Sequence, residues 1–274
     1  MEQSERCRIL VRGVGDVGSA VAYRLFQSHY SVLMHDVLQP VTTRRGMAFA
    51  DAVFDGRTEL DGVVAVRVDD VDALTSMLVR PDVIPVVIAS MDLILQVVRP
   101  HILVDARMRK RAQPEVQRGL TPLTIGLGPN FVAGLTTDIA IETSWGPDLG
   151  KPIDNGATRP LEGEPRSIAG HARDRFIYAP VEGVFHTHHD IGAQVRAGET
   201  IAQVDETELV APLDGVLRGI TRDGVPVSVG TKVVEVDPRG LEAVVRGIAE
   251  RPELIAAGVL RAVQTWSARG TRDI

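Results

Sequence analysis

Gly13-Val14-Gly15-Asp16-Val17-Gly18 fits the pattern G-x-G-x-x-G. It follows an apolar run, Arg8 to Gly13, that reads as a buried strand. It opens a run with apolar Val17, Val21 and Leu25 at helical spacing, through Phe26. That context gives the glycines their meaning. Gly13 allows a tight turn, Gly15 lets a phosphate approach the backbone, and Gly18 lets helix and strand pack closely. The helix N-terminus then offers N–H groups and a positive dipole end to an anion. Asp36 ends the next strand, Ser31 to His35, where an acid accepts hydrogen bonds from a ribose hydroxyl and disfavours a 2′-phosphate. Asp16 complicates the picture, because a carboxylate in the first helical turn repels a pyrophosphate there. Either Asp16 caps the helix, or it contacts a sugar, a metal or another non-phosphate group.

Two further stretches could line the same cleft. Val104-Asp105-Ala106 is followed by Arg107, Arg109, Lys110 and Arg111. Asp105 could orient a ligand, and Lys110 with the arginines could meet phosphates. The alternative is a capped turn followed by a solvated basic helix face. Gly126-Leu127-Gly128-Pro129-Asn130-Phe131 is a second glycine-rich strand-to-loop junction, where Asn130 could reach the ligand or simply shape a turn. His186, His188 and His189 are clustered; on a strand His186 and His188 would share a face at a spacing able to hold a metal, but that pair has no third ligand in sequence, so an exposed polar loop is expected. Arg6 and Arg8 beside Cys7 could lower its pKa, although a small core or edge residue is the simpler reading. No Ser–His–Asp spacing, P-loop or metalloprotease motif is present.

The elements that must position these residues alternate. Further strands are expected at Val63 to Val68, Asp82 to Ala89, His101 to Val104, Leu123 to Ile125 and Asp138 to Glu142. Helices are expected at Arg44 to Val53, capped by Thr42 or Thr43, at Asp70 to Leu78 and at Asp92 to Val98. The strands are apolar throughout rather than alternating, which points to a parallel sheet buried on both faces and a Rossmann-like α/β domain over residues 1–145. Residues 146–175 are rich in Gly and Pro and read as a connector. Residues 176–238 contain a repeat: Ala179-Pro180-Val181-Glu182-Gly183-Val184 matches Ala211-Pro212-Leu213-Asp214-Gly215-Val216, an ungapped offset of 32 residues. Glycines spaced between short apolar segments mark turns of a small all-β unit. Residues 239–274 have helical periodicity, with Pro252 expected to divide two helices.

The 274 residues suit two domains with a core in each. One cysteine excludes a disulfide framework and a cysteine-built zinc site. A net charge of −6 argues against non-specific nucleic-acid binding. No apolar run approaches the roughly 20 residues that cross a bilayer, and Met1 to Arg6 lacks a signal-peptide core, so a cytoplasmic protein is expected. The 30 basic residues include only three lysines, Lys110, Lys151 and Lys232. Chemistry that needs an amine has only these to draw on, and Lys110 is the one expected at the cleft.

The repeat resembles the biotinyl/lipoyl-carrier type of barrel-sandwich hybrid. Carriers hold a modifiable lysine in the hairpin joining the two halves. This chain has Asp205-Glu206-Thr207-Glu208-Leu209 there, so a swinging-arm role is excluded. The whole chain resembles the YqeB family, accessory proteins of selenium-dependent molybdenum hydroxylase systems. The residues that carry the likeness are Arg12-Gly13-x-Gly15-Asp16, Phe49 to Gly56, Val104-Asp105-Ala106 with Lys110, and Gly126-Leu127-Gly128-Pro129 with Phe131. It continues in Ile141-Glu142-Thr143, Leu149-Gly150, the Ala179-Pro180 unit and Asp237-Pro238-Arg239. Asn130 stands where the pattern has a glycine. The first domain is similar to that of XdhC-type accessory proteins. The resemblance implies an accessory or maturation protein that binds a nucleotide or nucleotide-bearing molybdenum cofactor, such as a molybdopterin dinucleotide, and delivers it to a hydroxylase apoenzyme or to cofactor-maturation proteins. It implies no particular reaction. An NAD-dependent oxidoreductase is one alternative, and a scaffold or interaction protein with a vestigial nucleotide site is the other.

Overall fold

The computed structural model describes residues 7–109, 112–162 and 165–270. The chain is α/β, with one large, mostly parallel sheet, smaller antiparallel sheets and a C-terminal helix.

The large sheet contains β1 (Arg8–Arg12), β2 (Ser31–His35), β3 (Arg57–Leu60), β4 (Val63–Val68), β5 (Val83–Val87), β6 (Ile102–Asp105) and β7 (Leu123–Leu127). β8 (Val132–Ala133) stands apart, and β9 (Ile139–Ile141) and β10 (Pro152–Ile153) complete the sheet. The order is β10-β9-β7-β6-β1-β2-β5-β4-β3. All pairs from β4 across to β9 are parallel; only the edge strands β3 and β10 run antiparallel. Side chains alternate between two covered faces. Ile9 and Val11 pack with α1 (Asp16–Gln27), whereas Leu10, Leu33 and Leu103 pack with α3 (Leu74–Met77) and α4 (Met91–Val98). Burial on both sides is why these strands carry no polar alternation. Ser90 caps α4, its hydroxyl accepting from Leu93 N–H.

The expected helix from Arg44 to Val53 does not form. A 3-10 turn, Arg45–Met47, and a short α2 (Asp51–Asp55) stand there instead. The backbone of this stretch bonds to distant chain: Ile220 N–H donates to the Thr43 carbonyl and Gly247 N–H to that of Gly46. A Cβ on Gly46 would lie 2.6 Å from the Val245 carbonyl oxygen. Tertiary contact overrides local propensity here.

The repeat folds as two four-stranded sheets. Its strands, after the short β11 (Gly156–Ala157) that pairs with β8, are β12 (Phe176–Tyr178), β13 (Gly183–His186), β14 (Gln194–Val195), β15 (Thr200–Val204), β16 (Thr207–Val210), β17 (Gly215–Ile220), β18 (Val225–Val227) and β19 (Lys232–Asp237). The orders are β12-β19-β17-β14 and β16-β15-β13-β18. The sequence offset carries each strand onto its equivalent in the other sheet: β12 onto β16, β13 onto β17, β14 onto β18 and β15 onto β19. The turns repeat too. Gly192 N–H donates to the Leu217 carbonyl and Gly224 N–H to that of Phe185, both at 2.8 Å. The hairpin between β15 and β16 holds Asp205 at φ +48°, its carboxylate accepting from Val184 N–H.

The C-terminal segment is one helix, α5 (Glu250–Gly270), not two. Pro252 sits in its first turn, where a missing N–H breaks no intrahelical bond. A 3-10 turn, Gly240–Glu242, is followed by irregular residues 243–249, with Leu241 and Val244 exposed. Ile255, Val259 and Val263 of α5 join the same core as Val17, Val21 and Leu25 of α1. No helix among the described residues is long and apolar enough to cross a membrane.

Candidate functional site

The strand order reverses beside β1, whose neighbours β2 and β6 lie on opposite sides. A crevice at the carboxyl ends of such strands is where ligands bind. Gly13 has φ +107°, and its N–H donates to the His35 carbonyl at 2.8 Å. A Cβ on Gly18 would lie 1.9 Å from the Gly13 carbonyl oxygen, so Gly18 lets α1 rest directly on the turn. Gly15 is different: a Cβ there would have nothing within 4 Å. The space above Gly15 is open, not filled by side chains.

Asp36 holds this turn. One carboxylate oxygen accepts from Val14 N–H and the other from Val37 N–H, each at 2.8 Å. Asp16 accepts from Val17 N–H at 3.0 Å and, through its other oxygen, from Arg44 Nη1 at 3.0 Å. Burial opposes ionisation of Asp16, but the charges of Arg44, Lys232 and Arg251 outweigh it and hold the carboxyl below its usual range. Three cations from three separate parts of the chain thus surround the carboxylate that the sequence pattern made awkward.

Arg44 links this turn to the duplicated unit. Its Nε and Nη2 make a bidentate pair with Glu235 at 2.9 and 3.0 Å. Glu235 is fully buried and also accepts from Arg175 at 2.6 Å and Lys232 at 3.0 Å, with Arg218 at 3.6 Å. Burial raises the Glu235 pKa, yet Lys232, Arg44 and Arg175 together pull it well below the ordinary range. The Phe176 ring lies under both Arg175 and Lys232, at 4.3 and 4.7 Å from its centroid.

A second polar row crosses the sheet edge. Strand register aligns His35, Arg12 and Asp105 on neighbouring strands. Asp105 is buried and accepts from Arg107 Nε at 2.9 Å and from Gln117 Nε2. Arg12 donates to Glu115 at 3.0 Å. His35 Nε2 faces the Ala89 carbonyl at 2.9 Å, and since a carbonyl only accepts, that nitrogen carries the proton. His35 Nδ1, Arg12 Nε and Gln117 Oε1 are buried without partners. Burial, reinforced by Arg12, pushes the His35 pKa down. An unfolded histidine titrates near about pH 6.5, so the unfolded chain binds the extra proton first. The contribution of a neutral His35 is therefore complete above about pH 6.5 and is lost progressively as pH falls below it. His35→Gln should flatten the pH dependence of stability between pH ~5 and ~6.5. Urea unfolding across that window checks this; an unchanged slope would mean that His35 titrates alike in the folded and unfolded chains.

The structure thus brings Gly13, Gly15, Asp16, Gly18 and Asp36 to one turn, with Asp105 beside it on the next strand. Asn130 belongs to a different loop and donates to the Ala112 carbonyl at 3.3 Å. Its φ of +73° is left-handed, which explains why glycine suits this position and why asparagine can replace it. Lys110 lies outside the described residues. Arg107 to Arg109 form no helix, so the basic helix face is not seen there. His186 pairs with Asp223 at 3.2 Å, and among the described residues no three His, Cys, Asp or Glu groups gather as a metal site. Burial pushes the Cys7 thiol up to about 11, outweighing Arg8, so it is not an activated thiolate. Arg44, Lys232, Arg251 and Glu235 were not singled out by sequence spacing; only the scarcity of lysine marked Lys232 at all.

No protein-family model matches the chain. It is 35% identical over 264 residues to the uncharacterized protein YqeB of Escherichia coli (strain K12), a match covering 96% of this chain and 48% of that one. The chain therefore spans about half the length of this curated relative. Among solved structures, a succinylglutamate desuccinylase/aspartoacylase from Rhodobacter sphaeroides aligns with a TM-score of 0.22 at 25% identity, over 34% of this chain and 28% of that one. The ectoine utilization protein EutE (DoeB) from Ruegeria pomeroyi aligns with a TM-score of 0.25 at 13% identity, over 84% of this chain and 85% of that one. Scores this low assign neither a fold nor an activity.

Proposed function

We propose that the chain binds a nucleotide or nucleotide-bearing cofactor at the Gly13–Gly18 turn and serves as an accessory protein that holds or delivers it. The observation that carries this reading is the open space above Gly15, the N-cap of α1. A central β1 flanked by β2 and β6 fits a Rossmann-like domain with its switch point at that turn. The exchangeable halves of the second unit fit a barrel-sandwich hybrid without a carrier lysine. The resemblance to molybdenum hydroxylase accessory proteins supplies the cofactor class, a molybdopterin dinucleotide, and the partner, a hydroxylase apoenzyme.

Gly15→Ala is the sharpest test. With φ −68° and no neighbour within 4 Å, the methyl group meets no clash. Stability should change by less than about 0.5 kcal/mol. Affinity should fall at least about tenfold, because the methyl occupies the place of the phosphate. Thermal shift and calorimetry with NAD, NADP, CTP, ATP and molybdopterin dinucleotide read both. A ligand at about 100 times its Kd stabilises by about 2.7 kcal/mol. If none of them raises the melting temperature, or if Gly15→Ala binds as well as the parent, the reading fails.

His35 favours a second reading, an NAD-dependent oxidoreductase, because a neutral imidazole with a buried, unpartnered Nδ1 could take up a proton at the crevice. It requires that NAD stabilise the protein and that His35→Gln stop turnover without weakening NAD.

A further inference from the structure

We propose that the duplicated β-unit is the second wall of the ligand site, and that Lys232, Arg44 and Arg251 hold a diphosphate group there against the N-terminus of α1. This rests on the nucleotide reading and names which part of the ligand the cations take.

The charge balance comes first. Arg44, Arg175, Arg218, Lys232 and Arg251 meet Asp16, Glu235 and, at longer range, Glu142. Asp237 lies near Arg218, but its carboxylate is engaged by Arg239 at 2.9 and 2.6 Å. Arg44 with Glu235, Arg45 with Asp190 and Arg222 with Asp55 already join the two units. Lys232 and Arg251 take no part in those junction pairs. Arg251 donates through Nε to the Thr143 carbonyl and, among the described residues, has no carboxylate within ion-pair distance.

Unmade hydrogen bonds come second. The Arg175 side chain is only 4% exposed and that of Arg218 11%, and the Nε of each is buried without a partner. Buried donors normally find acceptors. These two belong to a cluster whose outer members, Arg44 and Lys232, are 21% and 31% exposed, so the cluster opens to solvent beside Asp16.

The duplication supplies a control within the molecule. The positions equivalent to Arg175, Arg218, Lys232 and Glu235 in the other sheet are Thr207, His186, Thr200 and Gln203. The same strands and turns form there, so the fold does not demand these charges. They occur only in the sheet β12-β19-β17-β14, which holds the Glu235 partner of Arg44.

Inorganic pyrophosphate, titrated calorimetrically into the full chain, is the probe. Lys232→Met and Arg251→Gln should each weaken binding at least about tenfold, with the salt dependence reduced. Lys232→Arg should retain affinity. Lys151→Met, far from the turn in sequence and paired with Asp148, should change nothing. Circular dichroism confirms that each variant is folded. Undiminished pyrophosphate binding in both charge variants overturns the inference; so does an absence of pyrophosphate binding while nucleosides bind. If Gly15→Ala abolishes nucleotide binding but the charge variants bind normally, this inference fails and the nucleotide site stands. If pyrophosphate binds through Lys232 and Arg251 but no nucleotide binds more tightly, the diphosphate site stands and the nucleotide reading fails.

Discussion

Glu235→Ala is expected to lower stability by about 3–5 kcal/mol, the usual cost of leaving buried charges without their counter-ion. Arg44, Arg175 and Lys232 all bond this one carboxylate, and Arg175 is almost wholly buried. Without it, three cations repel one another in a place that water barely reaches. Arg44 would also lose its bidentate anchor, and with it the tie between the glycine turn and the β-unit. Glu235→Gln should cost less, because an amide oxygen can still accept. Gln203→Ala, at the equivalent position of the other half, should stay within about 0.5 kcal/mol. The effect should also depend on pH. A carboxyl whose folded pKa is depressed stabilises above its unfolded value, about 4.3 for glutamate, and loses that contribution as pH falls through the folded pKa. The parent should therefore lose stability on acidification below about pH 4.3 more steeply than Glu235→Ala. Urea unfolding at neutral and acid pH measures both quantities. A neutral-pH loss under about 1 kcal/mol would show that the cations relax into water once released.

Gly18→Ala carries the second large effect. The added methyl would meet the Gly13 carbonyl carbon and oxygen at 2.9 and 1.9 Å. Backbone cannot rotate away as a side-chain tip can. Either α1 lifts off β1 or the turn moves, at a cost of about 2–3 kcal/mol by the experience of overpacked sites. Helix α5 rests on α1, so the strain passes into the largest core. The melting temperature of Gly18→Ala should fall clearly, whereas that of Gly15→Ala, only three residues away, should not. Equal melting temperatures would mean that the turn is looser than its contacts indicate.

The parallel sheet was legible because its strands are apolar on both faces, and the glycine turn because it sits where a strand meets a helix. The repeat was legible because its glycines occupy turn positions that recur without a gap. Three features were not. Thr58 to Leu60 form an edge strand whose polar residues give no apolar signal. Residues 44–50 carry a capped helical pattern, but the Thr43 carbonyl accepts from Ile220 of the β-unit and the Gly46 carbonyl from Gly247, and local sequence says nothing of those partners. The cations around Asp16 come from a loop, from β19 and from α5, hundreds of residues apart in part, so no spacing rule groups them. Asp16 looked like an obstacle to phosphate because only its own helix was in view. Lysine scarcity was informative, but it pointed to Lys110 while Lys232 is the amine placed beside Asp16.

The packing of α5 on α1 has a consequence for how the protein is made. α1 leaves the ribosome before α5, with the apolar side chains of Val17, Val21 and Leu25 on one face. The residues that cover them, Ile255, Val259 and Val263, are translated after every strand of both units. Until α5 follows, the sheet residues Ile9 and Val11 can pack on α1, but the part of its cover supplied by Ile255, Val259 and Val263 is missing. The nascent chain must keep that face from other apolar surfaces, and a ribosome stalled before Glu250 would release a product unable to close its first core.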